Sequence, residues 1–277
     1  ALLLLPRLRV RVTGPAVIHP DRSTFHDLAR GHTVVPVWRE LLADQVTPVA
    51  AFRRLCPGAE PGFLLESVEH AERWGRWSFV GRRPVATLVA RGRTVTVEGD
   101  GADLVAPGIP LDAGILAAVE ALLAQVGTPP GLDLPPLHGG LLGYLGYDVV
   151  REVERLPDVP RDDQGLPDAV LSVIGEVAAF DHWRQRVTLV VNAHVPAGLG
   201  AADVDAAYDR ALARLDALAA DGSSPVDEPL LDPPDPDEAL PEVRSTLGGP
   251  LYEKAVEAAK EHILAGDIFQ VVLSQRF

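Results

Sequence analysis

Three stretches of this chain combine residue types that could do chemistry. In Leu64-Leu65-Glu66-Ser67 a carboxylate and a hydroxyl close an apolar run, and Glu69, Glu72, Arg73 and Arg76 follow. Polar groups withdrawn from water at such a strand end need partners. An amino-acid ligand would supply both, its carboxylate accepting from Ser67 and its ammonium pairing with Glu66. Ordinary solvent at the end of a strand would also satisfy them. In Ile268–Phe277, Phe269, Val271, Leu273 and Phe277 alternate with Gln270, Val272, Ser274 and Arg276. This predicts a strand whose more polar face lines a cavity or meets solvent. The third stretch, His138–Asp148, is rich in glycine but interleaves Leu and Tyr and lacks the Lys-Ser/Thr of a phosphate loop. Close packing of a strand against a neighbouring segment is the better reading.

Other chemistries find little support. The 8 His are scattered, and none has a partner at the i+4 spacing of helical zinc sites. There is no Gly-x-Ser-x-Gly nucleophile elbow. Cys56, the only cysteine, follows an apparent helix in Leu55-Cys56-Pro57 and reads as a packing residue. A single cysteine excludes an intramolecular disulfide and a thiolate metal cluster, and fits a reducing compartment.

The 277 residues carry a net charge of −14, with 47% hydrophobic and 23% charged residues. This is a globular balance, and the acidity argues against nucleic acid and anionic membrane surfaces as partners. No apolar run approaches the roughly 20 residues of a membrane helix. There is no Met. With a last strand that has no closing turn, the sequence is expected to be a fragment that continues beyond Phe277.

These residues must be positioned by an α+β fold of antiparallel sheets packed with helices. Residues 1–24 read as a ragged or disordered segment. Val37 to Leu55 reads as two short helices, the second starting at Thr47 as N-cap with Pro48 at the first helical position. Phe63–Val68, Trp77–Val80, Val85–Ala90 and Thr94–Val97 read as the strands of an antiparallel meander. Leu111–Val126 is an expected helix ending at Gly127. Val170–Phe180 and Arg186–Val191 form an expected hairpin turning through Asp181–Gln185. Asp203–Ala220 is an expected helix with Val204, Ala207, Tyr208, Ala211 and Leu215 on one face. The acidic, proline-rich residues 221–243 read as a linker. Leu251–Ala265 then reads as an amphipathic helix, with Tyr252, Ala255, Val256, Ala259 and Ile263 on its apolar face and Gly266 as its C-terminal cap.

From Phe25 onward these motifs resemble anthranilate synthase component I. The resemblance runs through Val34-Val35-Pro36-Val37, Thr47-Pro48-Val49, Phe63–Glu69 and Glu72–Gly81. It resumes in Gly139-Gly140, Gly143–Asp148 and Ala265–Phe277. It implies an N-terminal regulatory domain over residues 25–220 and the start of a chorismate-binding domain over 244–277. It also implies a lyase of tryptophan biosynthesis, cytoplasmic, that converts chorismate and ammonia to anthranilate and pyruvate. Mg²⁺ would serve as cofactor, on residues beyond this chain, and a glutamine amidotransferase subunit would supply the ammonia. Tryptophan would inhibit by feedback at Ser67 and Glu66, with Arg76 as a further contact. Gln270 stands where related water-using enzymes carry a lysine base. It cannot take a proton at neutral pH but can hydrogen-bond ammonia. The fragment alone is expected to be inactive. The related aminodeoxychorismate synthase and a non-catalytic amino-acid-sensing module are the competing readings.

Overall fold

The computed structural model describes residues 17–58, 60–66, 73–225, 232–233, 235–236 and 241–277. The chain divides into two compact units, residues 1–228 and 229–277.

The first unit opens with β1 (Ile18–His19), α1 (Arg22–Ala29), β2 (Val34–Leu42), α2 (Pro48–Leu55) and β3 (Gly62–Glu66). A 3₁₀ turn at Arg73–Arg76 leads into β4 (Trp77–Arg82), followed by β5 (Thr87–Arg91) and β6 (Thr94–Glu98). Next come α3 (Ala102–Val105), α4 (Ile115–Gln125) and β7 (Leu141–Leu145). The unit closes with β8 (Ala169–Val173), β9 (Glu176–Asp181), β10 (Arg186–His194) and α5 (Ala201–Gly222). The strands form two sheets, a six-stranded one ordered β1-β2-β10-β9-β4-β3 and a four-stranded one ordered β6-β5-β8-β7. Every pairing is antiparallel. The expected α+β class is borne out.

α1, α2 and α5 cover one face of the large sheet. Thr47 caps α2 by accepting from the Ala50 N–H at 3.1 Å, and Asp21 caps α1 by accepting from the Thr24 N–H at 2.8 Å. Val204, Ala207, Tyr208, Ala211 and Leu215 of α5 are all buried against Phe25, Val35, Val37, Val80 and Phe180. The small sheet has a core of its own, built from Leu88, Ala90, Ala169 and Leu171 against Ile115, Ala118 and Leu122 of α4. The chain leaves the large sheet after Arg82 and returns at Glu176, so the small sheet lies wholly between two strands that pair with each other. The outgoing and returning segments run side by side, joined by Val85 N–H to Val173 O at 2.9 Å and Val173 N–H to Ala86 O at 2.8 Å. At Gly175 a Cβ would stand 2.3 Å from the Arg83 carbonyl oxygen, so only glycine lets the two segments pass this closely.

Several expected elements differ. Residues 37–42 are strand, not helix, because Val34, Val35 and Val37 bury onto the core in a ladder running from Val34 to Leu42 opposite β10. The expected meander is divided, with β3–β4 in the large sheet and β5–β6 in the small one. Val170–Phe180 is likewise two strands in different sheets, broken at Ile174-Gly175. Its second half does form the expected hairpin with β10. The helix expected over 111–126 begins only at Ile115, because the Leu111 carbonyl accepts from the Val95 N–H at 2.8 Å. It ends at Gln125, one residue before the Val126 cap. The glycine-rich stretch supplies β7. A Cβ at Gly143 would meet the Val170 carbonyl oxygen at 1.8 Å, so this glycine admits the close approach expected of it.

The second unit holds α6 (Gly249–Ala265), closed as expected by Gly266 in the left-handed conformation at φ 82°. No residue of α6 is buried, and its expected apolar face is half-buried at best. Residues 268–277 form no strand. A strand exists through its ladder, and among the described residues the only backbone pairing here is Thr246 N–H to Arg276 O at 2.9 Å.

Candidate functional site

The Leu64–Ser67 motif sits at the edge of the large sheet. β3 is an edge strand, and its register places Glu66 opposite Ser78 and Leu65 opposite Phe79. Glu66 is exposed. Ser67 lies outside the described residues, as do Glu69 and Glu72. Phe63 and Trp77, with Phe79, pack on the face opposite the helices, where the Trp77 and Phe79 rings stack with centroids 6.2 Å apart.

Arg76 stands at the start of β4 and is already engaged. Its Nε donates to Asp181 Oδ1 at 3.0 Å, and Nη2 donates to Oδ2, making a two-pronged pair across to the end of β9. The guanidinium lies 4.9 Å from the Trp77 ring centroid and 5.1 Å from that of Trp183. Asp181 is nearly buried and also accepts from the backbone N–H groups of Trp183 and Arg184 at 3.1 and 3.2 Å. These donors, Arg76 first, hold its carboxyl below the usual carboxylate range. Beside it, Ser78 Oγ and His182 Nε2 lie 2.7 Å apart. The corner thus offers a fixed cation between two indoles, with an unburied carboxylate on the neighbouring strand. It can seat a flat ligand by stacking and by charge.

Gln270 belongs to the second unit, where it is exposed in the segment after α6. Cys56 is buried, with its Sγ 3.6 Å from the Gly81 carbonyl oxygen, and burial pushes its thiol pKa up, as befits a packing residue. Among the described residues, no three His, Cys, Asp or Glu side chains come together to hold a metal ion. The described residues therefore offer no ligand set for a divalent cation.

The partners of Arg76 could not be found from sequence. Asp181 is 105 residues away and looks like a turn residue. A second arginine cluster was also hidden. Arg82 and Glu176 form a buried pair at 2.8 Å, and Glu176 also accepts from Arg214 at 2.9 Å. Arg82 reaches Asp221 at 2.7 Å.

Residues 68–277 match the family described as chorismate binding enzyme. The chain belongs to that family. Among its relatives, anthranilate synthase component 1 of Mycobacterium tuberculosis (strain ATCC 25618 / H37Rv) is 40% identical over 258 residues, covering 93% of this chain and 49% of the relative. The same-named proteins of Arthrobacter globiformis and Acetivibrio thermocellus are 35% and 32% identical, covering 94% of this chain and 48% and 51% of theirs. The motif resemblance to anthranilate synthase component I is thereby borne out. This member of the chorismate-binding family spans about half the length of the curated relatives it matches. Among solved structures, anthranilate synthase component I from Streptococcus pneumoniae TIGR4 aligns at a TM-score of 0.44 and 21% identity, over 85% of this chain and 47% of that one. No helix among the described residues is long and apolar enough to cross a membrane.

Proposed function

We propose that this chain is the N-terminal half of an anthranilate synthase component I. The observation that carries the reading is sequence identity of 32–40% to proteins of that name along more than nine-tenths of the chain. The whole protein would aminate chorismate at ring C2, lose the C4 hydroxyl and eliminate pyruvate to leave anthranilate. Gln270 would hydrogen-bond the incoming ammonia without taking its proton. A glutamine amidotransferase subunit would deliver that ammonia, in the cytoplasm. Mg²⁺ would be held by residues other than those described.

Tryptophan would act as feedback inhibitor at the β3 edge, with Ser67 and Glu66 as contacts. Arg76 would act there through its stacked, Asp181-bound guanidinium rather than as a free cation. Product analysis of the whole protein supplied with chorismate, ammonia and Mg²⁺ tests the reaction. Anthranilate is expected, and 4-amino-4-deoxychorismate would transfer the chain to the aminodeoxychorismate branch. The 277 residues alone are expected to turn over no chorismate. Ser67→Ala is expected to weaken tryptophan inhibition about threefold to tenfold, the worth of one neutral hydrogen bond, with kcat unchanged. An unchanged inhibition constant would remove Ser67 from the inhibitor site.

A further inference from the structure

A second concavity lies at the opposite end of β3 from Leu64–Glu66, between α5 and the face of the small sheet that α4 leaves uncovered. It encloses about 950 Å³, ample for a small organic molecule. Its floor follows from strand alternation. Leu88, Ala90, Ala169 and Leu171 point into the core beneath α4, so Thr87, Val89, Val170 and Ser172 face the other way and line the cleft. The free face of an antiparallel sheet is ordinarily polar. Here Val89 and Val170 make it apolar while leaving it only half-buried.

The opposite wall is one stripe of α5, Ala207, Arg210, Ala211 and Arg214, spaced i, i+3, i+4 and i+7. The two alanines keep the wall low and the two arginines lie one turn apart. Arg214 is fixed by its Nε bond to Glu176 at 2.9 Å, and among the described residues its terminal nitrogens have no other acceptor. Arg210 has no carboxylate within ion-pair distance among the described residues and is exposed. His194 lines the same end, its pKa lowered by burial and by the charge of Arg214, so at neutral pH it adds a polar atom without charge. The far rim carries Glu98 and Asp100, both exposed, and the exposed Arg83 and Glu60, of opposite charge, also line the cleft.

We propose that this cleft binds a small monoanion with a flat apolar body, its carboxylate on Arg210 and Arg214 and its body on Val89 and Val170. Paired guanidinium groups suit a carboxylate, and the acidic far rim disfavours a second negative charge. The site shares no residue with the Leu64–Glu66 motif or with Arg76 and does not depend on the anthranilate reading.

Calorimetric titration of the purified 277-residue protein with 2-naphthoate tests this, with 2-naphthol as the neutral control and naphthalene-2,6-dicarboxylate as the dianion. Binding of 2-naphthoate is expected, with both controls about tenfold weaker or more. Arg210→Glu should weaken 2-naphthoate by about tenfold or more, and Arg210→Lys should restore part of the loss. Arg210 is exposed, so these variants should keep the parent circular dichroism and melting temperature. Val89→Trp should block the floor without changing charge. Absence of binding, equal binding of 2-naphthol, or indifference to both Arg210→Glu and Val89→Trp would overturn the proposal.

Discussion

Two arginine–carboxylate pairs close opposite ends of the same strand pair. At one end of β4–β9, Arg82 and Glu176 stand in register, their side chains 3% and 0% exposed. At the other end, Arg76, its side chain about a quarter exposed, reaches Asp181, whose side chain is 6% exposed. The chemistry is the same and the surroundings differ. Arg82 must share Glu176 with Arg214, take a second carboxylate from Asp221, and still leave its Nη2 without a partner among the described residues. Arg76 is flanked by Trp77 and Trp183 and keeps contact with water. Burial turns the first pair into a structural commitment, since removing either member strands a charge. The second holds a side chain ready at the surface.

The sharpest test removes each arginine in turn. Arg82→Ala is expected to cost about 3–5 kcal/mol in urea unfolding, because Glu176 stays buried with half its partners gone. Arg76→Ala should cost less, about 1–3 kcal/mol, because Asp181, though buried, keeps its two backbone donors. Equal losses would break the comparison. Close behind Arg82→Ala, Gly175→Ala is expected to cost about 1–3 kcal/mol by the same measurement, since its Cβ would overlap the Arg83 carbonyl beside the buried pair.

A third, smaller effect is an acid dependence at the Arg76–Asp181 end. The carboxyl of Asp181 titrates lower folded than unfolded, so its contribution is complete above the unfolded value of about 3.9 and is lost as pH falls through the lower folded value. Stability curves of parent and Arg76→Ala should therefore converge below about pH 4. Parallel curves down to the acid limit would show that Arg76 does not set this titration. The smallest effect is expected at Gln185, which takes φ 52° in the turn after Asp181. Gln185→Gly should raise stability by up to about 1 kcal/mol, read as a small rise in Tm.

Elements that carry their own signals were legible in the sequence. Thr47-Pro48 marked the start of α2, the five apolar positions of α5 all reached the core, and the β9–β10 hairpin turned where Asp181–Gln185 said it would. What failed depended on distant partners. Val37–Leu42 has no local mark that separates a buried strand from a short helix, and β10 decides the matter from 146 residues away. The division of Val170–Phe180 between two sheets is set by the crossing at Gly175, and a single apolar run does not announce a change of sheet. Alternation over 268–277 described a face but could not create a ladder. At the candidate site Arg76 could be named from its motif. Asp181 and Trp183, which fix its orientation, come from another turn of the chain and carry no motif.

The register of Arg82 opposite Glu176 has one more consequence. These residues are 94 positions apart, yet they face each other as the two ends of a hairpin would. A two-residue turn is geometrically all that β4 and β9 need to be joined. Everything between them is therefore an insertion set into a host sheet, with a core of its own and a seam where Leu137 and Leu142 pack on Val177 and Ala179. Lengthening its outer loops would leave the host's strand order as it is, whereas removing it whole would bare Val177 and Ala179 and strip Asn192 of its bond to the His138 carbonyl.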